Sequence, residues 1–167
     1  AFYTMELLLG GDLRERAPVS FREACAAMRD AALALGVLHA RGLVHRDVSP
    51  RNLWRTPDGR VKLIDFGAVM PFGPAQRVMG TPPLLPPEAF HGGPLDQRSD
   101  LYSLGGVGYF LVTGRNAYPA RELASLPDLW QRTPRPPSAA VASAVPEPIP
   151  EELDALLLSL LSQNPML

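Results

Sequence analysis

The chain has 167 residues, 46% of them hydrophobic, and a formal net charge of -1 at pH 7. This length and apolar content can bury one substantial core, so we expect one domain or part of one. The near-zero charge, without a basic run in the sequence, argues against a nucleic-acid partner. No apolar run approaches the roughly 20 residues of a membrane-spanning helix, which predicts a cytoplasmic chain, although an anchor could lie outside it.

A strand and a long helix are the first predicted elements. Residues Phe2–Leu7 form an apolar and aromatic run that ends at two glycines, which predicts a strand leading into a turn. A helix is predicted over 20–40, because Ser20 and Glu23 match a capping box and apolar residues recur on one face. The single cysteine, Cys25, excludes an intrachain disulfide, and we expect it to be a small buried helix residue.

Short strands and a long loop follow the helix. Residues 43–44 predict a short strand. The turn sequence Thr-Pro-Asp-Gly at 56–59 separates the runs 52–55 and 61–64, which predicts a β-hairpin. Residues 68–87 are rich in proline and show no periodicity, as is typical of a long irregular loop.

Helices dominate the last third of the chain. Apolar residues from 100 to 113 predict a helix that Gly114 ends. Residues 116–150 are proline-rich and are expected to be irregular, apart from a short helix near 121–126. A final helix is predicted over 151–162, directly after a proline.

Two motifs flank the predicted hairpin. Residues 45–52 read His-Arg-Asp-Val-Ser-Pro-Arg-Asn, and Asp65-Phe66-Gly67 follows the second strand. Phosphoryl transfer requires positioning and charge neutralisation more than a nucleophile on the protein. Asp47 could orient an acceptor hydroxyl and take its proton, while the amide oxygen of Asn52 and the carboxylate of Asp65 could hold magnesium ions.

The pattern H-R-D-x-x-x-x-N with D-F-G resembles the eukaryotic-type (Hanks-type) serine/threonine protein kinase family, and the resemblance continues along the chain. Gly80-Thr81 with Pro86-Pro87-Glu88 is similar to the family's G-T…A-P-E segment, and 100–105 to the start of its buried central helix, whose Asp supports the catalytic loop. The resemblance implies an α+β fold that is mostly α. This fold is the C-terminal lobe of a kinase, in which a short hairpin carries the catalytic loop and the Asp-Phe-Gly. Residues 1–12 would end the small-lobe sheet and form the hinge, and 13–167 would form the large lobe.

The resemblance also assigns residues to ATP and Mg²⁺. The hinge backbone from Glu6 to Leu8 would meet adenine, and Asp12 would reach the ribose. Trp54 stands where the family has an aliphatic floor beneath adenine, so its indole could stack on the base or fill the base's space. Asn52 and Asp65 would be the metal ligands. The implied cofactor-binding set is Glu6, Leu8, Asp12, Asn52, Trp54 and Asp65.

Two positions in the catalytic loop depart from the family pattern. Serine/threonine kinases usually place a Lys where this chain has Ser49, and tyrosine kinases place an Arg at the position of Arg51. The guanidinium of Arg51 could supply the missing positive charge. Thr81 favours the serine/threonine class, whose members use it to hydrogen-bond the catalytic loop. The implied catalytic residues are Asp47, Arg51, Asn52 and Asp65.

Regulation of the loop after Asp65 can also be predicted. In many family members the residue equivalent to Arg46 pairs with a phosphate on this loop. Thr81 is the only hydroxyl residue between Asp65 and Glu88. We therefore predict an activity that does not depend on phosphorylation at the usual loop site.

The resemblance implies a fragment and leaves alternatives open. No Gly-rich loop or strand lysine precedes Phe2, and the family's last conserved Arg, partner of Glu88, would fall just after residue 167. We expect a fragment that is inactive alone and less stable, because an unpaired buried carboxylate costs roughly 3 to 5 kcal/mol. A protein substrate is implied. Ser49 and Trp54 leave open the alternative that the protein is a pseudokinase scaffold. A small-molecule phosphotransferase fits less well, because such enzymes usually lack an Arg at the position of Arg46 and lack the G-T…P-E segment.

Overall fold

The computed structural model describes residues 5–141 and 147–164, which form a mixed α+β structure in which helices predominate. Short 3-10 helices cover Phe66–Ala68, Pro82–Leu84 and Leu123–Ser125. The described part of the chain has no helix with the length and apolar character needed to cross a membrane. The α-helices are α1 (Phe21–His39), α2 (Pro87–Phe90), α3 (Gln97–Thr113), α4 (Leu126–Trp130), α5 (Pro137–Ala140) and α6 (Glu151–Leu160).

The strands are short and antiparallel. β1, β3 and β4 form one sheet with β3 in the centre, while β2 pairs with β5 and β6 with β7. The hairpin predicted around the 56–59 turn is confirmed as β3 and β4, and the strand at 43–44 as β2. The strands are β1 (Gly11–Asp12), β2 (Leu43–Val44), β3 (Leu53–Arg55), β4 (Val61–Leu63), β5 (Met70–Pro71), β6 (Gly73–Pro74) and β7 (Pro94–Leu95).

The main core lies where α3 packs against α1 on one side and α6 on the other. Gly108 on α3 permits this close approach, because a Cβ there would lie 2.4 Å from Met28 Sδ on α1 and 2.6 Å from Leu157 Cδ2 on α6. A second cluster contains Tyr102 and Trp130 and extends to Val44, the residue before the catalytic loop. The helical core therefore reaches the base of the predicted site.

The predicted helices are confirmed with shifted ends. Ser20 caps α1, since its hydroxyl accepts from the Glu23 N–H at 3.3 Å, as the capping box predicts. α3 begins at Gln97, three residues before the predicted start, because the Asp96 side chain accepts from the Arg98 N–H at 2.8 Å and caps the helix. The final helix ends at Leu160.

Two local predictions were wrong, and a third was incomplete. The described part of the predicted strand Phe2–Leu7, residues 5–7, is not a strand, and residues 1–4 lie outside the described residues. Cys25 is exposed, because it lies beside the apolar stripe of α1 and not within it. The short helix predicted near 121–126 is confirmed as the 3-10 helix Leu123–Ser125, but α4 and α5 lie in the part predicted to be irregular, since a proline in the first turn of a helix loses no hydrogen bond.

Candidate active site

One buried carboxylate holds the catalytic loop, residues 45–52, from below. Asp100 in the first turn of α3 is fully buried and accepts hydrogen bonds from the backbone N–H of His45 at 2.8 Å and of Arg46 at 2.9 Å. His39 at the end of α1 contacts the same carboxylate through Nε2 at 2.8 Å. Such donors offset the desolvation of a buried carboxylate. They join α1, the loop and α3 into one unit, which confirms the supporting role expected of Asp100.

Two motif residues adopt a left-handed backbone conformation. Arg46 has a φ of 73° and Asp65 a φ of 62°, and they are the only non-glycine residues with positive φ in the described ranges. A residue in such a conformation costs about 1 to 3 kcal/mol and persists only where its surroundings hold it. Asp100 holds Arg46, and the Asp65 carboxylate accepts from the Gly67 N–H at 3.2 Å.

The Asp47 carboxylate is held by two side chains. Thr81 Oγ1 donates to Asp47 Oδ1 at 2.8 Å, and Asn52 Nδ2 donates to Asp47 Oδ2 at 2.8 Å. Asn52 Nδ2 also donates to the Asp47 carbonyl at 2.9 Å, and the Asn52 side chain is almost fully buried. These bonds fix the direction of the carboxylate. The expected hydrogen bond from Thr81 to the catalytic loop is confirmed.

The hairpin pairs the backbone next to Asp65 with that of Asn52, and these two residues are the predicted metal ligands. Ile64 N–H donates to the Asn52 carbonyl at 2.9 Å, so that Asp65 follows directly beside Asn52. An amide oxygen and a carboxylate are hard donors that suit Mg²⁺. The described residues contain no cluster of three His, Cys, Asp or Glu side chains that could hold a metal. Phosphate and water oxygens would therefore complete the shell of a bound Mg²⁺, as this ion prefers.

A cavity of about 550 Å³ opens beside Asp65. Met5, Glu6 and Leu8 form one wall, and residues 62–67 form the other. The volume lies within the roughly 300 to 1,000 Å³ of small-molecule sites. At the edge of the cavity, Lys62 Nζ lies 2.6 Å from the Glu6 carboxylate. The cavity thus joins the segment assigned to adenine with the Asp-Phe-Gly motif.

Three predicted cofactor-binding residues, Asp12, Asn52 and Trp54, are not in the lining of this cavity. Asp12 forms an ion pair with Arg14 at 2.7 Å, and this hydrogen-bonded guanidinium lowers the pKa of the Asp12 carboxyl. The charge of Arg51, an exposed residue, acts on the same carboxyl. Trp54 is half-buried on β3, and its Nε1 donates to the Leu9 carbonyl at 3.1 Å.

Other side chains of the motifs are buried. Ser49 is 2% exposed, and its hydroxyl has no hydrogen-bond partner among the described residues. His45 is fully buried, and its ring packs edge-on against Phe66 with centroids 5.5 Å apart. Burial lowers the pKa of the His45 imidazole, which favours the neutral ring.

The activation segment, residues 65–88, is attached to the lobe by its main chain. Arg46 Nη2 donates to the Arg77 carbonyl at 2.8 Å, and Nη1 lies 3.5 Å from the Ala68 carbonyl. Two strand pairs, β2 with β5 and β6 with β7, add further attachments. The guanidinium that could receive a phosphate thus already contacts two carbonyl groups.

The family profile of the protein kinase domain matches residues 2–167. The chain belongs to the protein kinase family. It is 37% identical to the serine/threonine-protein kinase PknL of Mycobacterium tuberculosis over 98% of this chain and 42% of that protein. It is 33% identical to PknA of M. tuberculosis over 99% of this chain and 39% of the relative. PknB of Mycolicibacterium smegmatis is 34% identical over 98% of this chain and 27% of the relative. The chain spans less than half the length of these curated relatives.

Some contacts of this kinase site were not predicted. His39 was not assigned to Asp100, although a basic residue in the last turn of a helix is a sequence signal for a nearby acceptor. Lys62 was not assigned either. Its position between Val61 and Leu63, both buried, places it on the outward face of β4. The Trp54–Leu9 bond carries no local sequence signal, since the two residues are 45 positions apart.

Proposed function

We propose that the protein containing this chain is an ATP- and Mg²⁺-dependent protein serine/threonine kinase. The observation that carries the proposal is the Asp47 carboxylate, held between Thr81 and Asn52 beside the Asp-Phe-Gly motif. The family match and the names of the mycobacterial relatives support the same activity. The substrate class proposed is a protein with an acceptor Ser or Thr hydroxyl.

In the proposed mechanism, Asp47 orients the acceptor hydroxyl and takes its proton. The bond from the acceptor oxygen to the γ-phosphorus forms while the bond to the β–γ bridging oxygen breaks, and ADP leaves. Mg²⁺, held by the Asn52 amide oxygen and the Asp65 carboxylate, would neutralise phosphate charge. The exposed guanidinium of Arg51 steadies the transferring phosphate in this proposal, in place of the lysine that Ser49 replaces.

The cofactor assignments form the finer part of the proposal. Glu6 and Leu8 border the cavity on the side proposed for adenine, and Asp65 borders the phosphate side. Asp12 and Trp54 are proposed to act at the margin, toward the ribose and beneath the base. Protein substrates are the proposed partners.

Phosphate transfer by the full-length protein tests the proposal. With Mg²⁺ and labelled ATP, we expect phosphate incorporation into a generic protein substrate, and a loss of about 10²- to 10⁴-fold in an Asp47→Asn variant. Asp128→Asn is the matched control, because Asp128 is exposed on α4. Equal incorporation by the Asp47→Asn variant would overturn the proposal. A folded wild-type protein that transfers no phosphate would instead support the scaffold alternative.

A further inference from the structure

Trp54 and Lys62 project from the same face of the hairpin. They are cross-strand neighbours in the β3–β4 register. Leu53 and Leu63, the adjacent pair in that register, are buried in the core. Because successive side chains of a strand alternate between its faces, Trp54 and Lys62 face away from the core. This is the side on which segment 5–9 runs.

Each of these two side chains contacts segment 5–9. Trp54 Nε1 donates to the Leu9 carbonyl at 3.1 Å, and Lys62 Nζ donates to the Glu6 carboxylate at 2.6 Å. The two contacts are thus three residues apart along the segment, one near each end. Lys62 is the only lysine in the sequence.

Apart from its continuation into β1, segment 5–9 makes few other contacts with the described residues. Three of its four apolar side chains are exposed, with Met5 at 64%, Leu7 at 86% and Leu9 at 66%, whereas Leu8 is half-buried. Among the described residues, no main-chain hydrogen bond of 5–9 accompanies the two side-chain contacts. Backbone pairing of β1 with β3 holds the C-terminal end of the segment, and the two side-chain contacts are its further attachments within the described residues.

The position of segment 5–9 sets the width of the cavity. Met5, Glu6 and Leu8 form one wall, while Lys62 begins the opposite wall. We propose that Trp54 and Lys62 form a latch, a pair of positioning residues that fix segment 5–9 against the hairpin and so determine how tightly the cavity holds its nucleotide. The nucleotide part of this inference rests on the proposed kinase function; the attachment of the segment does not.

The two contacts differ in their response to salt. The Lys62–Glu6 ion pair joins two side chains that are 42% and 68% exposed, so added salt should weaken it. The Trp54–Leu9 hydrogen bond joins neutral groups and should not respond. Because both contacts hold one short segment, their effects should be coupled in a double variant.

Hydrogen exchange of the full-length protein without nucleotide tests the attachment. In Trp54→Phe and Lys62→Met variants, we expect the amides of β1, which continues segment 5–9 and pairs with β3, to exchange roughly 2- to 10-fold faster, the range for one net hydrogen bond. Trp130→Phe and Arg60→Met are matched controls, because Trp130 bonds Tyr102 in the second core cluster and Arg60 is an exposed cation on the same hairpin. Unchanged exchange in both latch variants would overturn the proposal.

Steady-state kinetics of the same variants test the consequence for the nucleotide. We expect the KM for ATP to rise roughly 2- to 10-fold in each latch variant with kcat nearly constant, since the catalytic loop is not altered. Salt should raise the KM of the wild-type protein by a larger factor than that of Lys62→Met, because screening of the charged nucleotide itself is common to both. A fall in kcat at constant KM would overturn the role in nucleotide fit. A wild-type protein that binds no ATP would refute the proposed function, while hydrogen exchange would still decide the latch.

Discussion

The catalytic loop and segment 5–9 border the same cavity but are held in different ways. The loop attaches through backbone N–H groups to the fully buried Asp100, above a core formed by three long helices. Segment 5–9 attaches through two side chains at the surface of the hairpin. Local stability follows burial and hydrogen bonding. The difference predicts a rigidly held catalytic loop beside a cavity wall, segment 5–9, that can adjust.

The largest expected effect concerns the frame of the loop. Asp100→Ala should lower the free energy of unfolding by about 3 to 5 kcal/mol, because it leaves buried donors without an acceptor. Trp54→Phe should lower it by only about 1 kcal/mol, the usual value of one hydrogen bond. Urea unfolding measures both, with Asp128→Ala as an exposed control. Equal losses for Asp100→Ala and Trp54→Phe would contradict the contrast between the two regions.

A smaller effect is expected where the activation segment meets the loop. Thr81→Val removes the hydroxyl that holds Asp47, so kcat should fall by about 10- to 100-fold, as for one hydrogen bond to a charged group. Thr81→Ser keeps the hydroxyl and should retain most of the activity. Phosphate transfer at saturating ATP measures both variants. If Thr81→Val raised the KM for ATP and left kcat unchanged, Thr81 would act with segment 5–9 and not with the catalytic loop.

A modest effect of pH on the free energy of unfolding is expected from His45, which lies in the buried region. Burial lowers the pKa of His45 below its ordinary value of 6.5, so the unfolded chain binds more protons as the pH falls through that value. The contribution of His45 to stability is complete above pH 6.5 and is lost as the pH falls below it. His45→Phe keeps a planar ring against Phe66 and should flatten this part of the stability profile. Urea unfolding gives the free energy of unfolding of the variant and of the wild type at each pH. The difference between the two isolates the contribution of His45 from those of His39 and His91.

The smallest expected effect is that of phosphatase treatment. Arg46 already contacts the carbonyls of Ala68 and Arg77, so the activation segment is in place without a phosphate. Removing phosphate from the active full-length protein should leave its activity unchanged, as measured by labelled phosphate transfer with mass spectrometry of the 65–88 peptide. A loss of activity that follows loss of phosphate from Thr81 would contradict this prediction.

The catalytic region was predictable because its signals are local. The spacing of Asp47, Asn52 and Asp65 and the turn at 56–59 lie within about twenty residues and define both the chemistry and the hairpin. The capping residues and the apolar period predicted α1 for the same reason. Asp100 required the family resemblance, since no local pattern reveals which loop a buried carboxylate supports.

The conformation of segment 5–9 and the role of Trp54 were less predictable, because contacts between residues far apart in the sequence decide them. The apolar run before Gly10 has the composition of a strand, yet residues 5–9 have no strand partner among the described residues. Trp54 was assigned to adenine by position alone, whereas its indole N–H bonds a carbonyl 45 residues away. The proline-rich region gave a third discrepancy. α4 and α5 each carry a proline in the first turn, whereas sequence reasoning treats prolines as helix breakers.

The two tryptophans give these regions separate optical signals. Trp130 is 6% exposed and lies in the cluster that also buries Val44, whereas Trp54 is half-buried beside segment 5–9. An indole in an apolar environment emits at shorter wavelength than one that contacts water. In each single-tryptophan variant, the emission spectrum therefore follows one region of the chain, so that loosening of the nucleotide wall can be separated from melting of the helical core.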